Sequence, residues 1–275
     1  MNDHARFIAT HSEHQVQRWQ GGRMSMSTDK VAEEVPASLV YNGMPHVVMM
    51  TSPADLEDFA LGFSLSEGII ASRAELHAVR VTPVSEGVEI AIDIDLVRFL
   101  PLEEQHRNLA GRTGCGLCGA ETIDQAVRHP APVGKGRQVS PEALHAAFAR
   151  LSQRQALNAL TGAVHAAAWA TPDGELLAVR EDVGRHNALD KMIGALARAG
   201  RSFDDGFALI TSRASFEMVQ KAATVGIALL AAISAPTGLA IRLAEETGLT
   251  LVGFARAGQH NVYANPQRLA SAPTR

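Results

Sequence analysis

The stretch FALITSRASFEMVQKAATVGIALLAAISAPTGLAIRLAEETGLTLVGFAR, residues 207–256, decides the fold. It holds three short apolar runs, 207–212, 227–234 and 249–256, separated by two segments of helical periodicity, 216–225 and 238–246. Apolar runs without polar alternation belong to strands covered on both faces, and helical crossovers join parallel strands. Together they predict a largely parallel sheet with helices on both sides, a layout that binds ligands at the carboxyl ends of its strands.

Working outward, 141–160 reads as one helix opened by Ser140 as cap. Two strands follow, 164–170 and 176–180, around the turn Thr171-Pro172-Asp173-Gly174, and then a helix at 187–199. The first half has a different rhythm. SLVYNGMPHVVMMTS (38–52) places two β-rich runs either side of Asn42-Gly43, a strong signal for a two-residue hairpin. SPADLEDFALGFSLSEG (52–68) predicts a helix with Ser52 as N-cap, Pro53 at the first position, acidic residues in the first turn and Gly68 past the end. VRVTPVSEGVEIAIDI (79–94) alternates around 85–87 as a second hairpin. The expected class is α/β with α+β character: a smaller N-terminal α+β domain over 29–139, ending in a glycine-rich loop at 111–119, and a second domain over 140–275. Residues 1–28 lack periodicity and are expected to form a mobile tail; with no apolar run after a basic start they are not a secretory signal.

Composition excludes several classes. The chain has 275 residues, 46% hydrophobic and 20% charged, which rules out general disorder. Its two cysteines, Cys115 and Cys118, are too close together to staple a secreted fold, so a cytoplasmic protein with reduced thiols is expected. A net charge of −4 and 5% aromatic content argue against a nucleic-acid binder. The longest apolar stretch, 227–233, falls far short of the ~20 residues of a membrane span.

The strand ends of the second half finish in groups suited to an anion: Asp182 with Arg185, His186 and Asn187, then Ser212 and Arg213, then Ser234 and Thr237, then Arg256. Hydroxyls and backbone N–H groups at helix starts attract phosphate, and arginine adds bidentate donors. One crevice for a phosphorylated ligand is the leading reading. The competing one makes Ser212, Ser234 and Thr237 plain helix caps and the arginines surface pairs. Asp182 and His186 are candidates to orient ligand or assist proton movement, whereas Asp190 and Lys191 read as a solvated helix face.

GRTGCGLCG (111–119) packs four glycines around the two cysteines beside Arg112, surroundings that favour a pliant loop and a reactive thiolate. A structural zinc site needs four ligands, and His106 and His129 are awkwardly spaced to complete one, so no metal is expected. A zinc deaminase signature fails as well: His11-Ser12-Glu13 lies in the polar tail and Gly114 stands where a proline belongs. A thioredoxin-type dithiol should follow a strand, and RNLAGRTG is a poor one. Carriage of sulfur as a persulfide fits the loop best.

Five stretches in order, GRTGCGLCG (111–119), VREDVGRHNALDK (179–191), ITSRASFEMVQKAA (210–223), SAPT (234–237) and LTLVGFARAGQHNVY (249–263), make the chain resemble the FdhD family of formate dehydrogenase accessory proteins. The resemblance implies a cytidine-deaminase-like, three-layer C-terminal domain that has lost the zinc chemistry. It implies a sulfurtransferase that takes sulfur from a cysteine desulfurase and passes it to the molybdenum bis(molybdopterin guanine dinucleotide) cofactor of formate dehydrogenase. Cys115 would carry the persulfide and Cys118 assist or resolve it. Phe254, Ala255, Arg256, Ala257, Gly258 and Gln259 match the family's cofactor-binding stretch, and Arg185, Arg213 and Arg256 suit the phosphates of such a cofactor. A homodimer is expected because the cofactor is itself pseudo-symmetric. The alternative is a non-catalytic guanine-nucleotide or cofactor chaperone with dispensable cysteines.

Overall fold

The structure, a computed structural model, describes residues 9–110, 128–256 and 258–270. It begins with two antiparallel hairpins. β1 (His11–Gln20) and β2 (Arg23–Ala32) turn at Gly21-Gly22, and β3 (Val35–Tyr41) and β4 (Met44–Thr51) turn at Asn42 and Gly43. All four turn residues have positive φ, the geometry a two-residue turn needs to match the twist of its strands. The second hairpin agrees with the sequence reading. The first corrects the expectation of a featureless tail: both its faces are largely exposed, so no hydrophobic alternation announces the strands, and Gly21-Gly22 was the available signal.

Next come α1 (Leu56–Ser66), β5 (Leu76–Val84), β6 (Gly87–Ile94) and α2 (Leu96–Ala110). Strands β3 to β6 form a four-stranded sheet in the order β4-β3-β6-β5. Gly68 ends the first helix at φ 68°, as expected. Ser52, however, does not cap it: the N-cap is Asp55, because Ser52 is drawn into the interior, where its N–H donates to Asp182 (3.0 Å). The sequence reading assigns no element to α2, which carries Pro101 inside it.

The second half runs α3 (Pro141–Gln153), α4 (Ala156–Thr161), β7 (His165–Ala170), β8 (Leu176–Asp182), α5 (Arg185–Arg198), β9 (Phe207–Ile210), α6 (Phe216–Thr224), β10 (Leu229–Ala232), α7 (Gly238–Thr247), β11 (Thr250–Arg256) and β12 (Gln259–Ala264). Ser140 caps α3 by accepting from the Ala143 N–H (3.1 Å). The single helix expected over 141–160 is broken into two, since the Glu181 carboxylate accepts from the N–H groups of Leu157 and Asn158 (2.9 and 2.8 Å) and starts α4 afresh.

The six strands lie in the order β12-β11-β10-β9-β7-β8. Parallel pairing is confined to β9, β10 and β11; the β7–β8, β7–β9 and β11–β12 pairs are antiparallel, so the sheet is mixed rather than largely parallel. Short connections joining β7 to β8 and β11 to β12 leave no room for a crossover. Coverage on both faces is as expected. Phe207 and Leu209 of β9 join Leu144, Phe148 and Leu151 of α3, while Ala208 and Ile210 join Leu189, Met192, Val219 and Leu243 of α5, α6 and α7. That second core continues without a break into Leu39, Phe59 and Ile90 of the first half. The halves join where α1 crosses α5 at two glycines: a Cβ on Gly62 would lie 1.7 Å from the Asp190 carbonyl oxygen, and one on Gly194 1.9 Å from that of Asp58. The class is α+β, and among the described residues no helix is long and apolar enough to cross a membrane.

Candidate functional site

Strands β8, β9, β10 and β11 all end at one edge of the central sheet, and β7, antiparallel to both its neighbours, starts there with His165 opposite Asp182. Hydrogen bonds stitch the loops beyond into a continuous rim. The Thr211 N–H donates to the Ala166 carbonyl (3.0 Å), Ile233 to Ile210 (3.0 Å), Ala214 to Ala235 (3.2 Å) and Phe254 to Ser234 (3.2 Å). The convergence of separate strand ends expected from sequence is therefore present. Helices α5 and α6 begin at this rim, presenting the N–H ends of their dipoles to it.

Arg185 and His186 open α5, and Glu217 lies in the first turn of α6. His186 Nε2 is 2.7 Å and Arg185 Nη2 4.0 Å from Glu217 Oε2. The His186 contact, against partial burial, holds the Glu217 carboxyl below the usual carboxylate range. His165 is half-buried beside them. Burial pulls its imidazole pKa down and the Arg185 and His186 charges add to that, against a hydrogen bond with Thr211. Arg185 Nε and Ser215 Oγ are buried atoms with no aligned hydrogen-bond partner among the described residues, whereas His186 Nε2 faces the Glu217 carboxylate. Each such orphan costs about 1–3 kcal/mol, so the two beside adjoining helix starts are donors open to a ligand's acceptors.

The hydroxyl groups divide. Thr237 caps α7 by accepting from the Ala240 N–H (3.3 Å), so the plain-cap reading holds there. Ser212 is buried and donates to the Arg213 carbonyl (3.0 Å), and the residue at the α6 cap position is Ser215. Ser234 is half-buried and Arg213 exposed. The stretch 254–259 forms the tip of the β11–β12 hairpin. Phe254 adopts φ 52°, a left-handed conformation costing a non-glycine residue about 1 kcal/mol, where the pairing shifts register between Gly253 and Arg256. Ala255 is buried, which corrects its place among ligand-facing residues, while Arg256, Gly258 and Gln259 are exposed at the rim. Ala257, like Cys115, Cys118 and the whole 111–119 loop, lies outside the described residues.

Asp182 is the main correction. It is fully buried, and five donors saturate its carboxylate: Thr51 Oγ1 (2.6 Å), Ser52 N (3.0 Å), Gly184 N (2.7 Å), Asn187 Nδ2 (3.1 Å) and Lys191 Nζ (2.6 Å). A carboxylate so occupied has no lone pair for ligand; it fixes the loop that aims Arg185 and His186. Lys191 is also fully buried and bonds the Ser52 carbonyl (3.0 Å), and Asp190, 1% exposed, pairs with Lys221 (2.8 Å). The expected solvated face is thus an ionic interior. Lys221 reaches Glu67 as well (2.7 Å), and Glu67 in turn holds Arg128, the first described residue after the cysteine segment. His129, weighed above as a zinc ligand, contacts Glu246 (2.8 Å).

His165, Ser215 and Glu217 escaped the sequence reading. His165 begins a strand rather than following one, and its place at the rim depends on the antiparallel direction of β7. A model of the FdhD/NarQ family matches residues 32–270. A curated relative named sulfur carrier protein FdhD, from Cupriavidus necator, is 54% identical over 260 residues, 94% of this chain and 90% of that one. Another of the same name, from Xanthomonas euvesicatoria pv. vesicatoria, is 54% identical over 254 residues, 92% of this chain and 90% of its own. The crystal structure of a putative formate dehydrogenase accessory protein from Desulfotalea psychrophila superposes with a TM-score of 0.78 at 25% identity, covering 95% of this chain and all of that one. A family match across nearly the whole chain, two relatives above half identity and a shared fold lead to one conclusion: this chain belongs to the FdhD/NarQ family.

Proposed function

We propose that this protein is a sulfur carrier that serves formate dehydrogenase maturation, receiving sulfur on Cys115 and handing it to the molybdenum bis(molybdopterin guanine dinucleotide) cofactor held at the sheet rim. The observation that carries the reading is the pair of open donors, Arg185 Nε and Ser215 Oγ, beside His186 at a rim that also exposes Arg213 and Arg256. Phosphates supply the acceptors those donors lack. The relatives at 54% identity, both named sulfur carrier proteins, support the sulfur-carrying part.

The chemistry is ordinary thiol exchange. The Cys115 thiolate attacks the outer sulfur of a persulfide on a cysteine desulfurase; a new S–S bond forms on Cys115 and the donor leaves as thiolate. Passing that sulfur on as sulfide takes two electrons. Cys118 supplies them by attacking the inner sulfur of Cys115, which closes a Cys115–Cys118 disulfide and releases the outer sulfur as hydrogen sulfide; on the bound cofactor, hydrogen sulfide would exchange for an oxygen ligand, its two protons leaving with that oxygen as water. A dithiol reductant then reopens the disulfide. With no other thiol in the sequence, both roles fall to these two residues. The reaction belongs to the reducing cytoplasm, and a homodimer offers one rim to each half of the two-headed cofactor.

Cells lacking the native protein and complemented with Cys115→Ala are expected to show no formate dehydrogenase activity, while the purified variant still binds GDP in calorimetry. Full activity in that variant would leave a cofactor chaperone with dispensable cysteines as the function. Elution of the purified protein as a monomer at micromolar concentration would remove the dimer.

A further inference from the structure

The cationic rim already holds a carboxylate of its own. Glu217 is exposed over 58% of its side chain, yet its Oε2 is 2.7 Å from His186 Nε2 and 4.0 Å from Arg185 Nη2. An acidic residue in a helix's first turn is favoured by the dipole of its own helix whatever surrounds it. That dipole does not draw the carboxylate sideways onto the histidine and arginine of another helix; the His186 imidazole and the Arg185 guanidinium do. The contact leaves the site incompletely served, because Arg185 Nε stays without an aligned acceptor among the described residues, as does Ser215 Oγ two positions before Glu217. The His186 contact also lowers the Glu217 carboxyl pKa below the usual carboxylate range.

We propose that Glu217 is a built-in competitor for the phosphate subsite: its carboxylate stands in the place of the incoming anion and is displaced by it. The inference rests on the reading of the rim as a phosphate site and adds a selectivity device to it. A neutral or weakly charged molecule gains too little at the Arg185 guanidinium and the His186 imidazole to evict a carboxylate already seated on them. A diphosphate brings more charge and enough oxygens to engage Arg185 Nε, His186 Nε2 and Ser215 Oγ together. Glu217 is exposed, so it can swing into solvent without disturbing the core beneath it. The price of entry is therefore set by charge rather than by shape.

The test is calorimetry with GDP and with guanosine on the wild-type protein and on Glu217→Gln, which keeps the shape and removes the charge. GDP should bind the variant about three- to fivefold more tightly, the strength of an exposed ion pair, with guanosine unchanged. Equal GDP affinity in the two proteins overturns the inference alone. Weaker binding by the variant also overturns it and makes Glu217 a direct ligand of the nucleotide. If neither protein binds GDP, the phosphate reading of the rim falls and takes the inference with it. A second readout is independent of the base: inorganic pyrophosphate should shift the ring-nitrogen resonances of His186 in both proteins, at lower concentration in Glu217→Gln. Absence of any shift overturns the inference.

Discussion

Helix α5 carries two charged pairs that meet opposite fates. Arg185 and His186, at its start, are partly exposed, and the described residues leave the Arg185 Nε donor open. One turn on, Asp190 and Lys191 are buried to 1% and 0% and bonded on both sides of the helix, Asp190 to Ser66 (2.6 Å) and Lys221, Lys191 to Asp182 and Ser52. Consecutive residues on a helix point about 100° apart, so Asp190 and Lys191 reach different neighbours and each finds its own counter-ion. The difference separates structure from function. Buried ions fully served by protein groups hold α1 and the β4–α1 loop against α5; the partly exposed ones at the helix start belong to the proposed phosphate site.

That comparison predicts effects of different size and kind. The largest falls on the interior. Lys191→Ala strands the buried Asp182 carboxylate and Lys221→Ala strands Asp190, so each should lower unfolding free energy by about 3–5 kcal/mol, read from urea midpoints. A loss under 1 kcal/mol would mean that water or neighbouring groups neutralise the abandoned carboxylate and that the interior is less dry than its burial indicates. At the rim the pattern inverts. Arg256→Ala, at an exposed position, should change stability by no more than about 0.5 kcal/mol yet weaken GDP binding several-fold. Unaltered affinity would remove the β11–β12 hairpin tip from the site.

A smaller effect concerns His165. Burial and the nearby cations lower its pKa in the folded chain, so below the unfolded value of about 6.5 the unfolded chain binds the proton more readily. The stability this group contributes is present above that pH and lost as pH falls through it. Between pH 7.5 and 5.5 the urea midpoint of the wild-type protein should drop further than that of His165→Gln. Equal drops would show that His165 is better solvated than its position on β7 implies.

Most of the architecture was legible where local rules and tertiary context agree. Asn42-Gly43 turned where it should, Ser140-Pro141 opened α3, and the apolar runs of 207–256 became β9, β10 and β11. Errors arose where a residue's partner lies far away in sequence. Ser52 has the local look of a cap but is claimed by Asp182, 130 positions on. Asp190 and Lys191 look like solvated charges because nothing nearby in sequence announces Lys221 or Asp182 as counter-ions. At the rim, Arg185, His186, Arg213 and Arg256 could be placed because a strand's end is itself a sequence feature. Ser215 and Glu217 were passed over because the sequence reading followed the strand ends only as far as Ser212 and Arg213, short of the start of α6.

The central claim is that sulfur travels on Cys115, and intact-mass spectrometry addresses it most directly. Purified protein incubated with a cysteine desulfurase and free cysteine should gain about 32 Da, one sulfur atom, in a form removed by dithiothreitol, and Cys115→Ala should gain nothing. An adduct that persists in Cys115→Ala, or a wild-type protein that never acquires one, would contradict the account.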